Sequence, residues 1–159
     1  MSSLSMLQQE IIEPLFIVRV PQVITDYLNY NEEILAAMSA NAQVKSNQSK
    51  GKLLLTNQRV LYGQKIGLFG YAMLEVSYGQ IKGVSYHGGW FSHKIRLSCR
   101  VNRKTLVFDA GLKNREQHQH VNRIIQGIKS GASFLTGSVA LQPTVCSNTP
   151  PMRRGRDLY

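Results

Sequence analysis

The run GKLLLTNQRVLYGQK, residues 51–65, is the tightest constraint on this chain, because an apolar stretch stops for four polar residues and resumes at once. Leu53, Leu54 and Leu55 lead into Thr56-Asn57-Gln58-Arg59, and Val60-Leu61-Tyr62 follow directly. Two short strands joined by a tight turn read this way. Thr and Asn suit the turn, since their side chains hydrogen-bond nearby backbone and Asn tolerates left-handed dihedrals. The spacing predicts strands over residues 52–56 and 59–65, each half-buried.

The same punctuation continues to residue 111. Gly67-Leu68-Phe69-Gly70 reads as a turn, residues 71–78 as a strand, 81–86 as a shorter one, and His87-Gly88-Gly89-Trp90-Phe91-Ser92 as a glycine turn. Residues 94–101, KIRLSCRV, alternate strictly: Ile95, Leu97, Cys99 and Val101 take one phase, Lys94, Arg96, Ser98 and Arg100 the other. A strand with one face in a core and one in water has this pattern. Asn102-Arg103-Lys104 turns the chain into a last strand over 105–111. Val121, Ile124, Ile125 and Ile128 then recur at helical spacing up to Gly131, predicting an amphipathic helix laid on the sheet. A long first strand is expected after Glu33, giving about seven strands and one helix.

The flanks read differently. Leu4, Leu7 and Ile11 suggest a short amphipathic helix over 2–12, ended by Pro14; a second helical stretch is expected after Pro21. Residues 132–159, with three prolines and a basic end at Arg153, Arg154 and Arg156, predict a disordered tail. The domain reading is therefore an arm (1–30), a β domain (31–131) and a tail (132–159).

Charge is unevenly spread. Residues 1–44 carry Arg19 against five acids, whereas residues 45–104 carry eleven basic residues against one acid, Glu75. An acidic leader facing a basic body favours docking of the arm on its own domain, and the body attracts phosphate-bearing surfaces. The two cysteines, Cys99 and Cys146, lie in unlike contexts, so no disulfide framework is expected and the reading is cytoplasmic. The first ten residues lack a basic, apolar leader, and no run approaches the roughly 20 apolar residues of a membrane span.

Catalytic and metal chemistry find little support. His118 and His120 diverge by about 200° on a helix, a poor arrangement for one metal. His87 and His93 flank a glycine turn with no cysteine or carboxylate close by in sequence. Cys99 falls on the apolar phase of its strand, and no nucleophile elbow or glycine-rich phosphate loop occurs. The chain reads as non-enzymatic, with no cofactor.

NEEILAA (31–37), GKLLLTNQRVLYG (51–63), YGQIKGVSY (78–86), KIRL (94–97) and the final helix together resemble the bacterial pleckstrin-homology-like (PH-like) domains, neighbours of the GRAM domains. The resemblance covers roughly residues 31–131. It implies a mainly β, seven-stranded bent barrel or β-sandwich capped by the C-terminal helix, and binding of anionic lipids, peptides or protein partners. A basic-x-Arg step on the second strand, which marks the lipid-binding branch, is replaced here by Leu53-Leu54-Leu55. The family's bulky residues in the 87–92 turn imply that at least one of Trp90 and Phe91 folds back over the barrel.

The candidate anionic-surface site is Lys82, Lys94, Arg96, Arg100, Arg103 and Lys104, and the candidate membrane or partner loop is Trp90 with Phe91. The expected function is a non-catalytic module engaging an acidic membrane surface, at the inner face, or a protein partner. Nonspecific nucleic-acid binding through the same face and structural self-association are the alternatives.

Overall fold

The computed structural model describes residues 9–68 and 70–136. In chain order the elements are β1 (Gln9–Ile12), β2 (Leu15–Phe16), a single helical turn α1 (Gln22–Thr25), and then β3 (Ile34–Val44). The antiparallel strands β4 (Asn47–Thr56), β5 (Val60–Ile66), β6 (Gly70–Val76), β7 (Ile81–Gly88), β8 (His93–Val101) and β9 (Lys104–Leu112) follow. Helix α2 (Arg115–Lys129) and β10 (Ser133–Thr136) complete it.

The sheet runs β6-β5-β4-β3-β9-β8-β7. Its pivot is β3, which pairs with β2 at Ala36 and Ala37 and with β9 from Ala40 to Val44, so the sheet bends there and its two halves share one core. Tyr62, Leu53, Leu55, Phe108, Leu97 and Ile95 fill the interior. Helix α2 buries Val121, Ile124 and Ile125 against one end of this barrel, and Lys129 Nζ donates to the Ile81 carbonyl at 2.7 Å. The side chain of Asn114 caps the helix by accepting from the Gln117 N–H at 2.9 Å.

Half-burial of residues 53–55 is corrected by the structure. Leu53 and Leu55 enter the barrel, while Leu54 joins Ile24, Ala37 and Leu61 in a second apolar cluster on the outer face. Val18, Val20 and Leu28 roof that cluster. A strand covered on both faces reads as a continuous apolar run rather than an alternating one.

The arm is extended where the sequence suggested helix, over residues 9–12. There β1 pairs in parallel with β10, and residues 133–136, expected in a disordered tail, form its partner strand. What the sequence predicts for residues 1–8 and 137–159 lies outside the described residues. Phe134 reaches α2 at Gly127, where an added Cβ would lie 2.6 Å from the phenyl ring, so only glycine lets β10 pack this closely. Glu10 pairs with Arg123, the Glu13 carbonyl contacts His120 Nε2 at 3.0 Å, and Ile12 is buried. Residues 9–20 thus strap the barrel they precede.

The turn at 56–59 is a hairpin, closed by the Thr56 N–H to the Arg59 carbonyl at 3.0 Å. Its polar residues point inward to other chain segments. Arg59 is buried and forks onto Glu32, with Nε and Nη2 each 3.0 Å from a carboxylate oxygen, while Nη1 reaches Glu75 at 2.8 Å. Thr56 Oγ1 donates to the same Glu32 carboxylate at 2.5 Å. Asn57 accepts from the Glu33 N–H at 3.0 Å and donates to the Asn31 carbonyl at 3.2 Å. Burial pushes the Glu32 carboxyl up, but the bonds from Arg59, Thr56 and the Asn29 N–H outweigh it and hold it below its ordinary 4.5.

Two expectations follow from this packing. Leu54→Ala lowers unfolding free energy by about 2–5 kcal/mol, as Leu53→Ala does, in urea titrations; a loss below about 0.5 kcal/mol would mean that the outer face is open. Arg59→Ala costs about 3–5 kcal/mol by stranding a buried carboxylate, and Glu32→Gln in that background recovers part of the loss. Since the folded Glu32 pKa lies below the unfolded one, its contribution is full above pH 4.5 and vanishes as pH falls through the folded value. Glu32→Gln therefore flattens the acid limb of a stability–pH curve.

Candidate functional site

The six basic residues singled out by sequence do not form one cluster. Lys94, Arg96 and Arg100 do share the outward face of β8, in phase with half-buried Ser98, while Ile95, Leu97 and Cys99 are buried. From Lys94 to Arg100 is six strand positions, about 20 Å. Arg103 and Lys104 lie beyond the far end of β8, where Val101 pairs with Lys104. Lys82 sits in a bulge of β7 between Ile81 and Gly83, level with Cys99 and Ser98, and its Nζ donates to the Gly79 carbonyl at 3.2 Å.

Arg96 is not free. Asp109 lies directly opposite on β9 and takes Nε at 2.7 Å and Nη2 at 3.2 Å. The hydrogen bonds and charge of Asp109 raise the guanidinium pKa, and the pair partly neutralises the middle of the stripe. Two basic groups remain, one at each end of β8.

The near end is the richer one. Trp90 and Phe91 cap the β7–β8 hairpin and are 95% and 98% exposed. The expectation that one ring folds back is therefore wrong: Tyr86 occupies that position instead. Its ring stacks on His118 with centroids 4.9 Å apart and on His93 at 5.9 Å, and its hydroxyl bonds His93 Nδ1. Burial and then Arg115 hold the His118 pKa below its ordinary 6.5.

At the base of the hairpin lies a cationic collar that the sequence reading missed in part. Lys94 pairs with His87, and His93 pairs with Leu112, which brings Lys113 beside the hairpin base. The Arg115 guanidinium lies 5.7 Å from the Tyr86 ring centre. Lys113 and Arg115 come from the β9–α2 junction, some twenty residues away in sequence, and only the register of β8 on β9 reveals them. A hollow of ≈ 550 Å³ opens behind the hairpin, lined by Lys94, Arg96, His87, Ser92 and Asp109 among others.

Other candidate chemistry is dispersed. His118 and His120 meet different neighbours, Tyr86 and the Glu13 carbonyl. Among the described residues no three His, Cys, Asp or Glu side chains gather as metal ligands. Cys99 is buried, and burial pushes its thiol up to about 11, so it is protonated at neutral pH. Among the described residues no helix is long and apolar enough to cross a membrane.

No curated protein matches this chain in sequence. Among solved structures it is similar to the C-terminal domain of an unknown protein from Leishmania infantum, at 16% identity and TM-score 0.47, covering 66% of this chain and 93% of that one. The hSac2 domain of the human phosphoinositide phosphatase Sac2 gives 13% identity and TM-score 0.48, with 72% and 85% covered. A pleckstrin homology domain from Shewanella amazonensis gives 17% identity and TM-score 0.41, with 67% and 95% covered. Residues 28–129, from the segment before β3 to the last residue of α2, match the bacterial PH domain family. Seven strands closed into a bent barrel and capped by one helix agree with that match, and the chain belongs to the bacterial PH domain family.

Proposed function

We propose that this PH domain is a non-catalytic module that docks on an acidic membrane surface through the β7–β8 hairpin. The observation that carries the reading is the near-complete exposure of Trp90 and Phe91 inside a collar of Lys94, Lys113 and Arg115. Aromatic rings settle at the level of lipid headgroups, and cations beside them meet the phosphates. Each such cation contributes about 1 kcal/mol near an anionic surface. Two rings withdrawn from water contribute several kcal/mol more, at about 25 cal/mol per Å² of apolar area. Neither term alone gives firm binding, so affinity depends on both and weakens with salt. Lys94 lines the hollow behind the hairpin and would supply its cation to a headgroup there, since Asp109 already holds Arg96.

Nucleic-acid binding is less well supported. Along the stripe itself, the outward residues beside Lys94, Arg96 and Arg100 are His87, Ser85, Thr105, Val107 and Asp109, and Trp90 and Phe91 stand only at its Lys94 end, so no row of rings runs between the charges for successive bases to stack on. The non-catalytic reading rests on the same kind of evidence. Glu32 and Glu75 are committed to Arg59, Asp109 to Arg96, and the Cys99 thiol is buried.

Flotation with neutral and anionic vesicles across a salt series tests the proposal. Binding is expected on anionic vesicles only, falling about tenfold or more in Trp90→Ala/Phe91→Ala and in Lys94→Ala/Lys113→Ala. Failure to float at low salt would sink the membrane reading and leave a protein partner as the ligand.

A further inference from the structure

The strand order of the sheet ends in two edges, β6 and β7, and the chain treats them differently. On β7 a bulge lies between Ile81 and Gly83, exposed Lys82 stands in it, and Lys129 Nζ holds the Ile81 carbonyl. Bulges, lysines and occupied carbonyls keep a sheet edge from pairing with another chain. β6 has none of these. Its seven residues, GYAMLEV, run in unbroken register along β5 and, among the described residues, pair with β5 alone. They include no proline, no lysine and one charge, Glu75.

The side chains of β6 leave its main chain bare. Tyr71 and Met73 lean back over β5: a Cβ on Gly63, the strand partner of Met73, would lie 3.1 Å from Met73 Sδ and 3.5 Å from Tyr71 Cδ1. Ala72 is exposed and too short to cover the backbone, and Leu74 is only partly buried. Apolar groups continue beside the strand. The α1 turn packs on β6, and Val23 on that turn and Tyr27 just after it stay exposed. A row of free main-chain groups with apolar flanks is a template for one more strand.

We infer that β6 pairs with β6 of a second copy of this chain, antiparallel and centred on Met73, so that one sheet runs through a two-fold dimer. In that register Leu74 meets Ala72 of the second copy on the inner face, large against small. On the outer face Met73 meets Met73, and Glu75 meets Tyr71, whose own neighbour on β5 is Lys65. Lys65 is exposed, and Glu75 keeps 54% of its side chain exposed although Arg59 holds one oxygen. The two charges then sit two strand spacings apart, about 10 Å, a gap that their side chains span. Symmetry makes each of these contacts twice. A parallel, in-register pairing would instead set Glu75 beside Glu75, with like charges opposed.

Sedimentation equilibrium of the full chain, without lipid, tests this, and a monomer–dimer equilibrium is expected. Lys65→Glu should raise the dissociation constant about tenfold, and Ala72→Lys, which places a lysine on the edge, at least as much. Lys82→Glu makes the same change of net charge on β7 and should leave the dimer unchanged. Circular dichroism checks that each variant is folded. In a Cys146→Ser background, Met73→Cys should cross-link two copies under mild oxidation, and Lys82→Cys should not. Facing residues of antiparallel strands have Cα atoms about 4.5–5.5 Å apart, within reach of a disulfide. Trp90→Ala/Phe91→Ala should leave the dimer intact, so failure here and failure of vesicle docking are separable. A monomer at every concentration would overturn the inference and leave the edge to a strand of another protein. A dimer indifferent to Lys65→Glu and Ala72→Lys, or one that Met73→Cys does not cross-link, would overturn it as well.

Discussion

A guanidinium and a carboxylate held away from water make the strongest demand in this molecule. Glu32 has no exposed side-chain surface and Arg59 almost none, so each charge is tolerable only while the other is in place. The pair joins the β4–β5 turn to the segment entering β3, and Glu75 extends it to β6. Tyr78 adds a further tie, its hydroxyl reaching the Thr56 carbonyl at 2.5 Å. Four stretches of chain therefore meet at one hairpin of four residues. The polar interruption after Leu55 is less a concession to solvent than the point where the first sheet is fastened to what precedes it.

That fastening also explains the roof. With residues 29–33 clamped by Asn57 and Gln58, the preceding segment has to run back across the outer face of the sheet. Ile24 and Leu28 then cover Leu54 and Leu61, and Lys52 Nζ holds the Arg19 carbonyl at 2.6 Å. The sheet is consequently buried on both faces around Leu54 and Leu61, while strands β7–β9 keep their outer face in water. The basic stripe belongs to the face that nothing covers.

Local signals were the legible ones. The β4–β5 hairpin, the alternation of β8 and the apolar stripe of α2 each involve residues a few positions apart, and each lies close to where the pattern put it. What escaped depends on distant partners. Leu54 looks half-exposed until Ile24 is laid on it, and Arg96 looks free until β9 brings Asp109 alongside. The collar of Lys113 and Arg115 is visible only once β8 and β9 are in register. β1 and β10 are four residues each and far apart in the chain, so no periodicity announces them. Lys45, Asn102 and Arg103 adopt left-handed φ of 55°, 50° and 66° without glycine, a conformation for which the turn at 102–104 gave only Asn as a hint.

The closure of the barrel through β3 and β9 has a kinetic side. The β3–β4, β4–β5, β5–β6, β7–β8 and β8–β9 hairpins pair residues that are near neighbours in the chain, and such pairings form quickly. Joining the two halves must wait until Ala40 finds Ala110, across a loop whose entropy is lost before any contact repays it. The β1–β10 strap spans more chain still, from Gln9 to Ser133, and adds Ile12 and Phe134 to the core. Its loop is the longest to close, so its pairing is the last to set, and the core at the end that α2 caps is complete only once Ile12 and Phe134 have arrived.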